Sequence, residues 1–367
     1  MTGEAMAAQP SGPGHAVGRQ ASGFGVPAAG PQTLVSVIVD NYNYARYLPR
    51  ALDSALGQTH PNVEVIVVDD ASTDDTREVL AGYADRVRLL LLEENGGQAR
   101  AMNAGLREAR GDVLVQLDSD DVLLPDTIER AVAEFAADPD CVRVQWRLQV
   151  IDADGQPTGE TVPPAGWPLL SGNLREAFLR YRVFRVPPAS GNAYSAAAIR
   201  AIPPAPETVF RQSVDRWWSD LTTLLGTLRA LDGVAGEYRV HGDNGSVRRG
   251  RGVEYFRSRV ALTVTSHDAT RDLARRHGIP GVPDDVEAAL DPAFFTWLVA
   301  LRKLGAPAAE VSTPSWRLGA RGAYALVRRP DQPPQVRLNR LLWFLLLLAV
   351  PARTRLVQRL IDLRYSR

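Results

Sequence analysis

The chain has 367 residues, of which 45% are hydrophobic and 23% are charged, and its 42 basic and 42 acidic side chains leave no net charge. This length can bury a large core and form about two domains, while the balanced charge argues against a nucleic-acid-binding protein. Cys141 is the only cysteine. A disulfide within the chain is therefore excluded, which fits a cytoplasmic protein.

Residues 1–32 are rich in Ala, Gly, Pro and Gln and contain no continuous apolar run, so we expect a disordered tail and not a signal peptide. After this tail, apolar runs of strand length alternate with helical patterns. Strands are predicted at residues 34–39, 63–69, 87–92 and 113–117, and helices at residues 48–56, 72–80 and 102–109. Ser72 and Asp75 have the spacing of a capping box for the second helix. This order predicts an α/β fold with a mostly parallel sheet, helices on both faces, and a ligand site beyond the carboxyl ends of the strands.

Polar side chains follow each predicted strand, and the last group is the most acidic. Asp118, Asp120 and Asp121 come directly after an apolar strand and have no basic neighbour in the sequence to offset their mutual repulsion. A hard divalent cation, with phosphate oxygens completing its shell, would relieve that repulsion. The cluster therefore indicates a nucleotide-diphosphate site. The alternative is an acidic turn that caps a helix beginning near Pro125.

Five blocks of the sequence resemble, in the same order, those of the inverting glycosyltransferases of family 2, which have the GT-A fold. The blocks lie at residues 36–43, 53–59, 67–74, 95–97 and 117–121, within a densely similar region that covers residues 33–150. The resemblance implies a GT-A domain over residues 33–247. The remaining pattern predicts a helical appendage over residues 248–336 and an apolar, basic helix over residues 337–367.

The resemblance also implies which residues hold the sugar donor. Its nucleotide is expected to contact a set of polar and small residues: Asp40, Asn41, Tyr42, Asp70, Asp118, Gly191 and Asn192. At one of these positions the chain departs from the family, which has Pro where this sequence has Asp40. Gly191 lies in a segment similar to the one beneath the donor sugar, where a missing side chain permits close approach of the backbone.

Asp118 and Asp120 match the family's Asp-x-Asp motif. The resemblance implies Mg²⁺ or Mn²⁺ as the cofactor, with Asp120 as the direct ligand, Asp118 directed to the ribose or to a metal-bound water, and Asp121 as the alternative ligand. The later segment Glu-Tyr-Arg-Val-His-Gly-Asp-Asn resembles the Tyr-Arg-x-His-x-x-Asn element that often closes this fold, so its His241 would reach the metal or the diphosphate. Alternatively, His241 is a solvated loop residue and Arg239 pairs with surface acids.

An inverting transfer needs a carboxylate that takes the proton of the acceptor hydroxyl while the hydroxyl attacks C1 opposite the leaving group. Asp215 resembles the family's base position and precedes a helical pattern of leucines. Asp220 is the second candidate. The alternatives are that Asp215 only provides a charge favourable to the helix dipole and that Asp220 is a surface acid.

These motifs predict a metal-dependent inverting glycosyltransferase that acts in glycan or polysaccharide biosynthesis. It would move a sugar from a nucleoside diphosphate, with uridine-linked donors favoured by the resemblance, to a hydroxyl of a glycan or lipid-linked sugar. Two alternatives are kept. A sugar-1-phosphate nucleotidyltransferase would have a Gly-rich basic loop where this chain has residues 40–43, and a non-catalytic module would bind a nucleotide sugar or glycan without turnover.

Residues 341–350 form an unbroken apolar run with Arg340 before it and Arg353 and Arg355 after it. The run is too short to cross a bilayer, which takes about 20 apolar residues. It either packs in the core or lies shallowly in a membrane surface with the arginines on anionic headgroups, and we favour the second interpretation. The protein is therefore expected in the cytoplasm, in peripheral contact with the inner face of the membrane.

Overall fold

The computed structural model describes residues 23–182, 186–242, 252–328 and 332–365. Most of the predicted tail, residues 1–22, and the predicted domain boundary at residues 247–248 lie outside this part of the chain. Residues 23–32, which the sequence assigned to the tail, pack on the domain. Val26 is buried, and the Ser195 Oγ donates to the carbonyl of Gly25. In this segment an apolar side chain and backbone contacts outweigh the loop-like composition.

A mixed sheet forms the centre of the described structure. Its strands are β1 (Val35–Asn41), β2 (Val63–Asp69), β3 (Arg88–Leu91), β4 (Val113–Asp118), β5 (Val122–Leu123), β6 (Cys141–Ile151), β7 (Pro157–Val162), β8 (Asn192–Ser195) and β9 (Thr227–Arg239). They lie in the order β3-β2-β1-β4-β8-β6-β9-β5, with β7 beside β6. The four predicted strands β1 to β4 are parallel neighbours, while β8 runs antiparallel to β4 and β6. The predicted α/β fold is confirmed.

Helices cover both faces of the sheet. In chain order they are α1 (Leu48–Leu56), α2 (Thr76–Ala81), α3 (Gln98–Glu108), α4 (Thr127–Ala137), α5 (Arg175–Tyr181), α6 (Ala196–Ala201), α7 (Val214–Thr222), α8 (Val253–Arg276), α9 (Pro292–Leu304), α10 (Ser315–Arg328), α11 (Pro334–Ala349) and α12 (Arg355–Tyr365). Successive side chains of β1 point to opposite faces, so Ile38 packs in the core under α3 and α7. Val37 and Val39 pack in the core under α1 and α4.

The C-terminal helices enclose a third core, which confirms the predicted helical appendage. Phe256 of α8, Phe295 of α9, and Phe344 and Leu347 of α11 are buried together there. The single helix predicted over residues 337–367 is instead two helices, because Pro351 cannot supply the backbone N–H that would continue α11. Among the described helices, none combines the length and apolar character needed to cross a bilayer.

Candidate active site

A cavity of about 840 Å³ opens at the carboxyl ends of β1, β2 and β4, the edge at which the sequence predicted a ligand site. Most of the predicted site residues line it: Asp40, Asn41, Tyr42, Asp70, Asp118, Asp120 and Asp215. These residues come from four separate elements, and the parallel strands bring their polar ends to one edge. The sheet and helix α7 therefore gather acids that are up to 175 positions apart in the sequence.

One end of the cavity is shaped by a glycine loop. The backbone N–H groups of Gly96 and Gly97 donate to the two oxygens of Asp70, at 2.8 and 2.6 Å. Gly97 has a φ of 85°, which an L side chain rarely adopts, so glycine is required at this turn. An ionised carboxylate can accept about four hydrogen bonds. Asp70 can therefore hold this loop and still accept a further hydrogen bond from a bound base.

The acidic cluster forms at the end of β4. Ligand atoms of Asp118, Asp120 and Asp121 all lie within 4.8 Å of one another. Burial, together with the nearby Asp120 charge, raises the pKa of Asp40 to about 7 against the lowering effect of the hydrogen bond from Gln98. Burial and the negative charges of Asp40, Asp121 and Asp120 raise the pKa of Asp118 well above its usual range. The carboxylates therefore repel one another, and a divalent cation would stabilise their charged forms.

Asp121 differs from its two neighbours because both of its oxygens are engaged by protein donors. Ser190 Oγ donates to Oδ2 at 2.6 Å, and the backbone N–H of Arg239 donates to Oδ1 at 2.9 Å. Asp118 and Asp120 line the cavity, whereas Asp121 lies behind them. The geometry thus favours Asp118 and Asp120 as metal ligands. Asp121 instead connects Ser190 and β9 to the acidic turn through its two hydrogen bonds.

His241 is buried against the acidic cluster and is not a solvated loop residue. Its Nε2 lies 3.0 Å from Oδ2 of Asp120, and its ring packs on Tyr44 and Tyr47 at centroid distances of 5.2 and 4.7 Å. Arg239 is also buried. Its Nε donates to the carbonyl of Asp120 at 2.9 Å, and its guanidinium lies over the Tyr47 ring. Both residues therefore fix the position of Asp120.

The two base candidates lie in different surroundings on α7. Asp215, in the first turn of the helix, faces the cavity, and its negative charge contributes to the raised pKa of Asp118. Burial raises the pKa of Asp215 itself, against the lowering effects of the Arg216 backbone N–H and the Arg259 cation. Asp220 is instead buried in the packing between α7 and α8, where Ser266 Oγ donates to it at 2.7 Å. It is therefore not a surface acid.

Gly191 and Asn192 lie behind the cavity wall and not on it. A side chain at Gly191 would collide with Pro187, so the close approach there is to protein and not to a sugar. The Asn192 Nδ2 donates to the carbonyl of Pro188 at 2.9 Å. Pro188 and Ala189 line the cavity in their place. Gly191 and Asn192 thus do not face the cavity, although they adjoin residues that do.

Comparisons with known proteins identify a family for the part of the chain that carries most of this cavity. A model of the glycosyl transferase family 2 matches residues 36–202. An uncharacterised glycosyltransferase of Nostoc sp. is 36% identical over 215 residues, which is 57% of this chain and 66% of that protein. Residues 36–202 therefore form a domain of glycosyltransferase family 2. The chondroitin synthase of Pasteurella multocida is 42% identical over 125 residues, which is 33% of this chain and 13% of that protein. The chain thus spans less than two thirds of the length of these relatives.

A solved structure shows the same fold as this family 2 chain. S. aureus TarS 1-349, in complex with UDP-GlcNAc, superposes with a TM-score of 0.51 at 17% identity, covering 85% of this chain and 90% of that chain. At this level of identity the likeness concerns the fold. It extends well past residue 202, so it includes part of the C-terminal helical region as well as the sheet.

Sequence reasoning on this family 2 chain missed three residues that organise the site. Gln98 donates to Asp118 at 3.1 Å and accepts from the backbone N–H of Val214 at 3.2 Å. Ser190 links Asp121 to the backbone of Asp118. Arg259 lines the cavity beside Asp215. Gln98 and Ser190 adjoin recognised blocks and could have been found there, whereas nothing in the helical pattern of α8 marks Arg259.

Proposed function

We propose that this family 2 glycosyltransferase moves a sugar from a nucleoside diphosphate to a hydroxyl acceptor, with inversion at C1 and with a bound Mg²⁺ or Mn²⁺. One observation carries the proposal. Asp118 and Asp120 of the acidic cluster, the Asp70 loop and a separate carboxylate, Asp215, line a single cavity at the carboxyl edge of the sheet. A donor site and a proton acceptor within reach of one another are the two requirements of the reaction.

The donor set of the acidic turn fits a hard cation. Asp120 and Asp118 supply carboxylate oxygens, which Mg²⁺ and Mn²⁺ prefer, and one or two such ligands suffice when a diphosphate supplies the others. When bound, the metal would offset the charge that develops on the departing nucleoside diphosphate. Within this assignment, His241 and Arg239 orient Asp120, and Gln98 orients Asp118. Asp121 remains the alternative ligand.

Asp215 is the proposed base. Its carboxylate accepts the proton of the acceptor hydroxyl, the hydroxyl oxygen forms a bond to C1, and the bond from C1 to the diphosphate oxygen breaks on the opposite face. Burial raises the pKa of Asp215, which strengthens it as a proton acceptor, because a base works best with a pKa near the operating pH. The backbone N–H of Arg216 and the Arg259 cation counteract this rise in pKa.

The donor and acceptor form the less specific part of the proposal. We propose a uridine-linked sugar bound through Asp40, Asn41, Tyr42 and Asp70. The TarS structure is a complex with UDP-GlcNAc and shares the fold of this chain, which supports a uridine-linked donor. The acceptor is proposed to be a glycan or a lipid-linked sugar presented at the cytoplasmic face of a membrane, where the enzyme would act as a peripheral protein in glycan or polysaccharide synthesis.

The test is a panel of nucleotide sugars with the full chain, measuring nucleoside diphosphate release with Mn²⁺, with Mg²⁺ and with a chelator. Candidate acceptors are added, and the anomeric configuration of any product is read by NMR. We expect metal-dependent release that rises with the right acceptor, and an inverted product. Donor binding without release for every acceptor would support a non-catalytic module, and release of pyrophosphate would support nucleotidyl transfer.

A further inference from the structure

Exposed apolar side chains are concentrated on the last three helices. Among the residues that the structure describes, twelve large hydrophobic side chains are exposed, and nine of them belong to α10, α11 or α12: Trp316, Tyr324, Val327, Leu338, Leu342, Leu345, Leu346, Leu356 and Leu363. The other three are scattered over the rest of the chain. Isolated exposed hydrophobic side chains are ordinary, but a concentration of them marks an interaction surface.

Helix α11 carries exposed apolar side chains in addition to the apolar side chains that it buries in the C-terminal core. Phe344 and Leu347 bury one side of the helix in the C-terminal core. Leu338, Leu342 and Leu346 are spaced four residues apart on another side and are 48, 57 and 50% exposed. Side chains at this spacing form one stripe along a helix. The helix therefore has two apolar faces, and folding of the chain buries only one of them.

The same region carries a strong positive charge. Residues 315–367 contain eleven arginines and two aspartates, a net charge of +9, whereas residues 1–314 contain 31 basic and 40 acidic side chains, a net charge of −9. Within the described structure, Arg321 pairs with Glu287 at 3.1 Å, but the exposed Arg317, Arg355 and Arg359 form no ion pair with a described residue. The cationic charge is thus available to an anionic partner.

Two arginines lie on exposed aromatic rings of α10. The guanidinium of Arg317 lies 5.2 Å from the ring centroid of Trp316, and that of Arg328 lies 5.5 Å from the ring centroid of Tyr324. Aromatic rings with a polar edge suit the level of lipid headgroups, and long basic side chains extend their charge toward phosphates while their stems stay on apolar surface.

A second copy of the chain is a poorer partner, because two surfaces of charge +9 repel one another.

We infer that α10, α11 and α12 form a docking surface for a membrane of anionic phospholipid. The exposed leucines of α11 enter the boundary between headgroups and acyl chains, and the arginines contact lipid phosphates. This inference rests on the proposed function for the membrane as the place of action, but it does not depend on the chemistry assigned to Asp215. The sequence predicted a membrane contact for the apolar run at residues 341–350, whereas the inferred surface comprises three helices.

The test is co-sedimentation of the full chain with vesicles of phosphatidylcholine alone or mixed with phosphatidylglycerol. We expect binding to the mixed vesicles, weak binding to phosphatidylcholine alone, and release by high salt. The double variant Leu342→Gln and Leu346→Gln should bind the mixed vesicles about tenfold more weakly. Leu91→Gln is the matched control, because Leu91 is also 50% exposed but lies on β3, and it should bind like the parent.

Nucleoside diphosphate release in vesicle-free solution is measured for the same proteins and should be equal in all of them. The inference is overturned if the parent chain ignores mixed vesicles, or if the double variant binds them as well as the Leu91 control. It is also overturned if the parent is a dimer that the double variant dissociates, since the stripe would then be a protein interface. Failure of the proposed function would leave vesicle binding intact and abolish only the release.

Discussion

Replacement of Asp215 by Asn is expected to stop sugar transfer without weakening the fold. An amide has nearly the shape of the carboxylate but cannot accept the proton of the acceptor hydroxyl. General-base catalysis contributes roughly a hundredfold to ten-thousandfold, or about 3–5 kcal/mol of the barrier. Because burial raises the pKa of Asp215, the folded protein disfavours its charged form. The neutral amide removes that cost, so the thermal midpoint should stay the same or rise.

Asp220→Asn is the matched comparison on the same helix. Asp220 accepts hydrogen bonds from Ser266 at 2.7 Å and from Arg216 at 3.4 Å in a largely buried setting. An amide retains one acceptor oxygen but no charge, so Arg216 loses its ionic partner. A weakened buried polar network of this kind costs about 1–3 kcal/mol of the free energy of unfolding. We expect a lower thermal midpoint with most of kcat retained.

The two variants are compared by nucleoside diphosphate release with acceptor present, by donor affinity from calorimetry and by thermal melting. Asp215→Asn should bind donor and Mn²⁺ like the parent and fail only in transfer. The assignment is refuted if Asp215→Asn turns over at nearly the parent rate while Asp220→Asn is folded but inactive. The base would then be Asp220, and α7 would have to present its buried face to the acceptor.

Three further outcomes are expected. Asp120→Asn should lose most metal-dependent turnover and bind Mn²⁺ more weakly, because the amide supplies no charge; equal activity at low Mn²⁺ would contradict the ligand assignment. Arg259→Gln should move the acid limb of the kcat/KM profile to higher pH, since the Arg259 cation lowers the pKa of Asp215. The control is Arg257→Gln, on the outer side of α8 and paired with Glu310, which should leave the profile unchanged. Identical shifts in both variants would exclude a local effect of Arg259. Finally, the metal-free chain should melt at a higher temperature near pH 6 than near pH 8. Burial raises the pKa of Asp40 to about 7, so in this range the folded state holds more protons than the unfolded state and stability falls as pH rises. Mn²⁺ should reduce this dependence, and a midpoint that rises with pH in the metal-free chain would refute the sign.

The regular half of the fold could be predicted because its signals are local. Strand β2 was predicted at the residues where it is observed, since an apolar, β-branched run between two helical patterns leaves little choice. The N-terminal cap of α2 was predicted less well. Ser72 donates to Asp69, and α2 begins only at Thr76. Strands β6 and β9 pair with each other over a separation of more than 80 residues, so no local pattern reports their partnership.

The same distinction applies to the candidate site. Asp118, Asp120 and Asp215 could be selected because motifs mark them, and the structure brings all three to one cavity. Gly191 was selected from its motif as well, yet the structure turns it toward Pro187. Arg259 could not be selected, because its importance comes only from the packing of α8 on α7. A motif identifies a residue, whereas its surroundings follow from tertiary contacts.

Helix α8 lines the candidate active-site cavity and also belongs to the C-terminal core. Phe256 is fully buried among α9 to α12, and Arg259, less than one turn further along, lines the cavity beside Asp215. A shift of the C-terminal helices would therefore displace the Arg259 cation, which lies beside the proposed base Asp215. No residue of the family motifs would have to change. For this reason, a shortened chain that ends just before α8 would keep every recognised motif and still lack one wall of the candidate active site.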